Sequence, residues 1–320
     1  MWNSSVASAT MVDISQWLDA TLTTFFVAAI GVVILRCYSK SFASMTTYGG
    51  RHVNHTRPPG DSLEGKTHRQ PTTVGSILRC PVSRRTSFQC FYCAGALSLG
   101  IPMALCVLSP SMSTAALSLR WWAAPLLFVS HCLVRLVEST ARQRYRQNDT
   151  VTLFGMCSGC GFYIAATLAA VPWSSFSSNA SDLEHGADDC IVVALVIVHL
   201  MLQVAQVYHH EILRSLRTLK RIAAPALSTS RDDDRAYVFP TKRGGFVYVQ
   251  EPHYLCEVLL YAAQWVLLAA THSGCHWPAV LVGVFTLCNL GVTAREHRDY
   301  WRTSKFALEM PPHLIIPGVL

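Results

Sequence analysis

Charge is scarce in this chain. Asp, Glu, Lys and Arg together make up 14% of its 320 residues, against roughly 25% in a typical soluble domain. With 51% of the residues hydrophobic, a soluble globular domain is excluded as the reading of the whole chain, and a membrane protein is indicated. Neither G-x-G-x-x-G nor a P-loop occurs, so no soluble dinucleotide or nucleotide fold is available. No internal repeat is apparent. Cys90-x-x-Cys93 and Cys157-x-x-Cys160 have redox or zinc spacing, but no second pair in a polar context completes a metal site. Most of the twelve cysteines fall in apolar runs, where Cys packs as a small hydrophobe. His209-His210 alone falls short of the several His-x-x-His-His boxes that a di-iron lipid hydroxylase needs. The net charge of +7 lies in short loops rather than on one face, which argues against nucleic acid as a partner.

The apolar runs come next. About 20 such residues cross a bilayer, and seven runs approach or exceed that length: about Trp17–Tyr38, Phe88–Leu108, Ala115–Val137, Val151–Val171, Cys190–Tyr208, Leu255–Thr271 and Pro278–Thr293. The expected fold class is therefore all-α, a polytopic membrane protein of about seven transmembrane helices. No basic stretch precedes the first run, which reads as a signal-anchor span. Residues 1–87 are expected to hold that span and a flexible basic cytosolic loop, whose Arg-Pro-Pro-Gly and Gln-Pro-Thr-Thr pieces discourage helix. Residues 88–320 form the six-helix remainder. After the fifth run a basic, helix-like stretch passes through Arg214, Arg217, Lys220 and Arg221.

Cytosolic loops accumulate Lys and Arg. Seven spans with the amino end in the lumen put 24 of the 26 basic residues on the cytosolic side: nine in the first loop, three after the third span, eight after the fifth and four in the tail. The loop from Pro172 to Asp189 has none and carries Asp182, Glu184, Asp188 and Asp189 instead. This orientation predicts a lumenal amino end and a cytosolic carboxyl end. The sequons at Asn3 and Asn179 then face the lumen, and those at Asn54 and Asn148 the cytosol. The bilayer is the partner this pattern implies, and no obligate protein partner is evident.

The densest polar chemistry lies in Tyr237–Glu257, a Gly/Pro-rich segment that runs directly into an apolar helix. Gly244-Gly245 allows a close backbone approach, and Tyr237, Tyr248, His253, Tyr254 and Glu257 bring donors, acceptors and flat rings. Charged or polar groups inside a span are costly, which makes Arg135, Gln206 and Glu257 candidates for a site, although each also suits a structural partner for another helix. All three share a depth near the cytosolic ends of their spans, together with Arg214 and Arg217. Converging guanidiniums fit phosphate, while a solvated positive-inside loop accounts for the same composition. His253, alone on an apolar helix, also reads as a satisfied structural histidine.

The Tyr-x-x-Pro entry, paired glycines, Tyr-Val and Pro-His-Tyr-Leu-x-Glu of this segment resemble the signature of the steroid 5α-reductase family, and within it the polyprenol-reductase branch. Gln206-x-x-x-His210-x-x-Leu213-x-x-Leu216-Arg217, His131-x-x-x-Arg135-Leu-x-Glu138, and Asn289 with His297-Arg-x-Tyr300 extend the likeness from about Tyr92 to Leu320, most fully over about 131–320. The resemblance implies an NADPH-dependent reductase of a carbon–carbon double bond in the endoplasmic reticulum membrane, with a cofactor site open to the cytosol. By motif position it implies cofactor contacts at Arg135, Gln206, His210, Arg217, Tyr237, His253, Glu257 and His297, with His253 beside the nicotinamide. Reduction of the α-unsaturated isoprene unit of a polyprenol or polyprenal, in dolichol synthesis for N-glycosylation, is the activity it implies.

The chain departs from the family where Cys90-Phe91-Tyr92 replaces His-Phe-Tyr, where Cys132 stands in place of a Tyr, and where the acidic-aromatic-basic tail before the final Ile-Pro becomes Ala-Leu-Glu-Met-Pro-Pro-His. Hydride adds readily only where the resulting negative charge is delocalised, so the acceptor should be a conjugated carbonyl with an enzyme acid polarising its oxygen. Tyr92 and His131 are the catalytic candidates. The rival readings are a steroid or enoyl-thioester reductase of the same fold, an isoprenylcysteine-type membrane methyltransferase, and a transporter or scaffold that binds no nucleotide.

Overall fold

The computed structural model describes residues 4–39, 77–108, 119–143, 145, 149–173, 189–223, 239–240, 242–272, 276–302 and 309–318. Most of the basic first loop, the asparagines of all four sequons, most of the acidic loop and Tyr237 lie outside the described residues.

The long apolar runs fold into helices. α1 is Ser4–Tyr38; α2, Arg84–Ser98, and α3, Gly100–Leu108, follow as one interrupted rod; α4 is Leu119–Val137 and ends in a π-helical turn, Glu138–Arg142. α5 is Leu153–Ala169, α6 Asp189–Ala223, α7 Pro252–Thr271 and α8 Trp277–Arg302. Among the described residues, six helical stretches are long and apolar enough to cross a membrane. The fourth expected span is the shorter α5, whose 17 residues reach only about 25 Å against a hydrocarbon core of about 30 Å. The basic stretch after the fifth run continues α6 without a break.

Large side chains face outward, as expected where the surrounding solvent is hydrocarbon. Val193, Ile197, Met201 and Val204 form an exposed apolar stripe on α6, the inverse of a soluble helix. Inside, Phe26, Phe91, Tyr92, Phe128 and Tyr261 gather α1, α2, α4 and α7 around the alanine-rich face of α5. Small residues let these helices approach closely. A Cβ on Gly159 would lie 2.4 Å from the Phe91 ring, and one on Gly95 would lie 2.9 Å from Cys132 Sγ.

Two features were not legible as spans. A two-stranded antiparallel ribbon pairs β1, Pro81–Ser83, with β2, Thr150–Thr152, in the register Val82 to Val151. It ties the start of α2 to the start of α5. The carboxyl segment docks beside the entry to α7 through a parallel bridge between Val249 and His313. There Gln250 N donates to His313 O at 2.9 Å and Glu251 N to Leu314 O at 3.0 Å, while Ile315 is fully buried against Ala294.

Candidate functional site

Polar side chains from α2, α4, α6, α7 and α8 meet at the end of the bundle where α7 begins. Pro252 opens α7 with Glu251 as its N-cap, a position where the missing N–H of proline costs nothing. The preceding segment makes a 3-10 turn at Gly244–Val247, entered through Lys242 and Gly244 at positive φ. His209 of α6 secures it, since Gly245 N donates to His209 Nε2 at 3.2 Å.

The paired glycines pack closely against α6 and Pro252. A Cβ on Gly245 would sit 2.7 Å from both His209 Nε2 and Pro252 Cβ, and one on Gly244 3.0 Å from Tyr208 and Ile212. This close packing fits the loop against the helix, with Gly245 half-buried and Gly244 exposed.

Two linked networks occupy the centre. In the first, Gln206 Nε2 donates to the Glu257 carboxylate and lies 3.4 Å from the His253 carbonyl oxygen. The other Glu257 oxygen faces His131 Nε2 at 3.5 Å, without the alignment of a hydrogen bond. In the second, Arg135 donates to Glu138, which the π-helical turn swings inward. Arg135 Nη1 also lies 2.6 Å from His210 Nδ1, and Glu138 Oε1 lies 3.3 Å from the same nitrogen. These last two contacts cannot both be hydrogen bonds. A guanidinium only donates, so the shorter one makes His210 Nδ1 the acceptor and places the ring proton on Nε2.

His210 and His253 bring the two networks together, with ring centroids 5.0 Å apart. Glu251 joins α8 to the site: His297 Nδ1 donates to its carboxylate at 2.6 Å, and His253 Nδ1 lies 3.7 Å from the other oxygen. On the apolar side, the Arg135 guanidinium lies 5.6 Å from the Tyr92 ring centroid, and Tyr92 packs edge to face on Tyr163.

Of the ten residues singled out by sequence, eight converge here: Tyr92, His131, Arg135, Gln206, His210, His253, Glu257 and His297. Tyr237 lies outside the described residues, and Arg217 stands on α6 with its side chain outside them. Arg214 pairs with Glu211 on its own helix at 2.7 Å. Sequence reasoning passed over Glu138 and Glu251 as site residues. Glu138 carries a signal, being three residues after Arg135 and so on the same helix face. Glu251 has no such signal, because its partner His297 is 46 positions away.

The model of the family described as 3-oxo-5-alpha-steroid 4-dehydrogenase matches residues 149–320, just over half of the chain. The chain belongs to that family. It is an oxidoreductase acting on carbon–carbon double bonds, of the steroid 5α-reductase type. The matched region supplies Gln206, His210, Glu251, His253, Glu257 and His297, whereas Tyr92, His131, Arg135 and Glu138 come from helices ahead of it. No curated protein matches the chain significantly.

Proposed function

We propose that the chain is an NADPH-dependent reductase of the α-unsaturated isoprene unit of a polyprenol or polyprenal, serving dolichol synthesis for N-glycosylation. Its place would be the endoplasmic reticulum membrane, with a lumenal amino end and a cytosolic carboxyl end. The observation that carries this reading is the cluster of polar and charged side chains gathered from five helices where α7 begins, at one end of the bundle. A soluble cofactor can reach such an end, while a long hydrocarbon tail remains among the helices.

The residues present fit a nicotinamide. His253 Nδ1 and Gln250 Oε1 are buried without a hydrogen-bond partner, and a carboxamide has both a donor and an acceptor to offer them. Buried polar groups are rarely left unmatched without a reason. His253 and Gln250 would hold the amide, with Glu251 and His297 fixing the height of the α7 entry. Arg135 is already paired with Glu138, so the phosphates are proposed to lie toward Arg217, with Tyr237 beside them.

When bound, NADPH supplies a hydride. The work of the chain is to orient it and to stabilise the charge that the double bond releases. Glu257, anchored by Gln206, would hold His131 against the apolar side of the cofactor. His131 and Tyr92 are the proposed acids for the carbonyl oxygen of an unsaturated aldehyde. An allylic alcohol gives the developing charge nowhere to go, which makes the aldehyde the reactive species.

Comparing lipids of cells with and without the protein tests this. Loss of the protein should raise α-unsaturated polyprenols at the expense of their saturated counterparts. Unchanged polyprenols would contradict the proposal. The family description itself favours a second reading, reduction of a 3-oxo steroid, and accumulation of a steroid enone in the same cells would select it.

A further inference from the structure

We propose that the Tyr261 hydroxyl donates a hydrogen bond directly to the carbonyl oxygen of the unsaturated substrate, beside His131, as a catalytic residue of the reaction proposed above. Tyr261 sits one turn beyond Glu257 on the same face of α7 and is only 4% exposed. Its ring is held by Phe128 at 6.0 Å, Phe162 at 6.2 Å and His131 at 6.4 Å between centroids. Its hydroxyl is buried and has no hydrogen-bond partner. Glu257 is the neighbouring carboxylate, but it makes no aligned hydrogen bond to the hydroxyl; one of its oxygens accepts from Gln206 and the other faces His131.

An unsatisfied buried hydroxyl costs about 1–3 kcal/mol. Phenylalanine would fill the same volume without that cost, so packing does not account for a tyrosine here. Both ring nitrogens of the neighbouring His131 are likewise buried without a hydrogen bond. Unmatched donors on two adjacent rings, at the apolar edge of a polar site, suit an oxygen that arrives with a ligand. Beside Tyr261 there is also a small cavity, walled by Phe128, Ala166 and Gln264 among others. Tyr92 is placed differently, with its ring next to the Arg135 guanidinium.

Hydride from the reduced nicotinamide forms the new bond at the β-carbon, and the π electrons of the double bond move onto the carbonyl oxygen as an enolate. Tyr261 donates to that oxygen most strongly when it is charged, and keeps its proton. A proton from water then adds at the α-carbon and regenerates the aldehyde, now saturated.

The test is Tyr261→Phe in the full-length protein, assayed with NADPH and a short isoprenoid enal, with Tyr261→Met as a second variant and wild type alongside. Loss of one oxyanion donor should lower kcat by about 100-fold or more. NADPH affinity should be unchanged and the unfolding temperature equal or higher, because an unsatisfied group has been removed. An active wild type with an equally active Tyr261→Phe overturns the assignment and leaves the reductase reading intact. A drop in unfolding temperature or in NADPH affinity that accounts for the lost activity of both variants also overturns it, by making the hydroxyl structural. A wild type that does not oxidise NADPH with the enal overturns the reductase reading and the Tyr261 assignment together.

Discussion

His253 and Glu257 stand four residues apart on one face of α7, yet their side chains do not pair with each other. Glu257 turns to Gln206 and His131, and His253 turns toward Glu251 at 3.7 Å. Removing His253 therefore leaves every partner of Glu257 in place. His253→Ala is expected to fold and insert normally while turnover of an enal falls on the order of 100-fold, the cost of a hydride donor misplaced by about 1 Å. Activity per folded molecule, measured on purified protein, checks this. Full activity would make His253 structural.

Arg135 and Glu138 are a buried pair on consecutive turns of one helix, and the Glu138 residue is only 4% exposed. Arg135→Ala strands the carboxylate and should destabilise the protein by about 3–5 kcal/mol. Adding Glu138→Gln should recover a large part of that loss, since the uncompensated charge is then gone. Thermal unfolding of the single and double variants measures the recovery. Additive losses would mean that the pair does not hold this end of α4.

Gly245→Ala tests why the glycines are there. Its Cβ would meet His209 Nε2 and Pro252 Cβ at 2.7 Å, and Pro252 is not a flexible side chain that swings aside. A cost of about 1–3 kcal/mol is expected, together with weaker NADPH binding as the loop lifts off α6. Unaltered stability and affinity would show that the loop accommodates a methyl group.

His272 and His276, between α7 and α8, are both buried, with rings 6.0 Å apart and nearly perpendicular. Burial, and then the neighbouring His276, pushes the His272 ring from 6.5 down to about 4; burial also lowers His276. Both rings therefore stay neutral in the fold at a pH where the unfolded chain takes up protons. Stability is complete above about pH 6.5 and declines as the pH falls from there toward 4, by roughly 2–3 kcal/mol for His272. Unfolding temperatures of wild type and His272→Gln across that window should diverge on acidification, with the variant losing less. Parallel curves would contradict the assignment.

The spans were legible because hydrocarbon demands continuous apolar helix, and the runs ending near Tyr38, Val137 and Thr271 are seen as such. So was much of the site, since Arg135, Gln206 and Glu257 are costly inside a span unless they meet each other's partners. Contacts between distant segments were less legible. Glu251 pairs with His297 and is held by the carboxyl segment, and no local period encodes either contact. The ribbon at Val82 and Val151 rests on three residues per strand, too few to show an alternating pattern. Gly245 was readable as a close approach, but not as an approach to His209.

Purified protein in lipid nanodiscs, given NADPH and a polyprenal with an α-unsaturated isoprene unit, should oxidise NADPH stoichiometrically as the enal becomes the saturated aldehyde. The hydride of labelled NADPH should appear at the β-carbon, and both rates should fall on the order of 100-fold in His253→Ala. Absence of NADPH binding and of any double-bond reduction by folded, active-site-intact protein would contradict the proposed reductase activity.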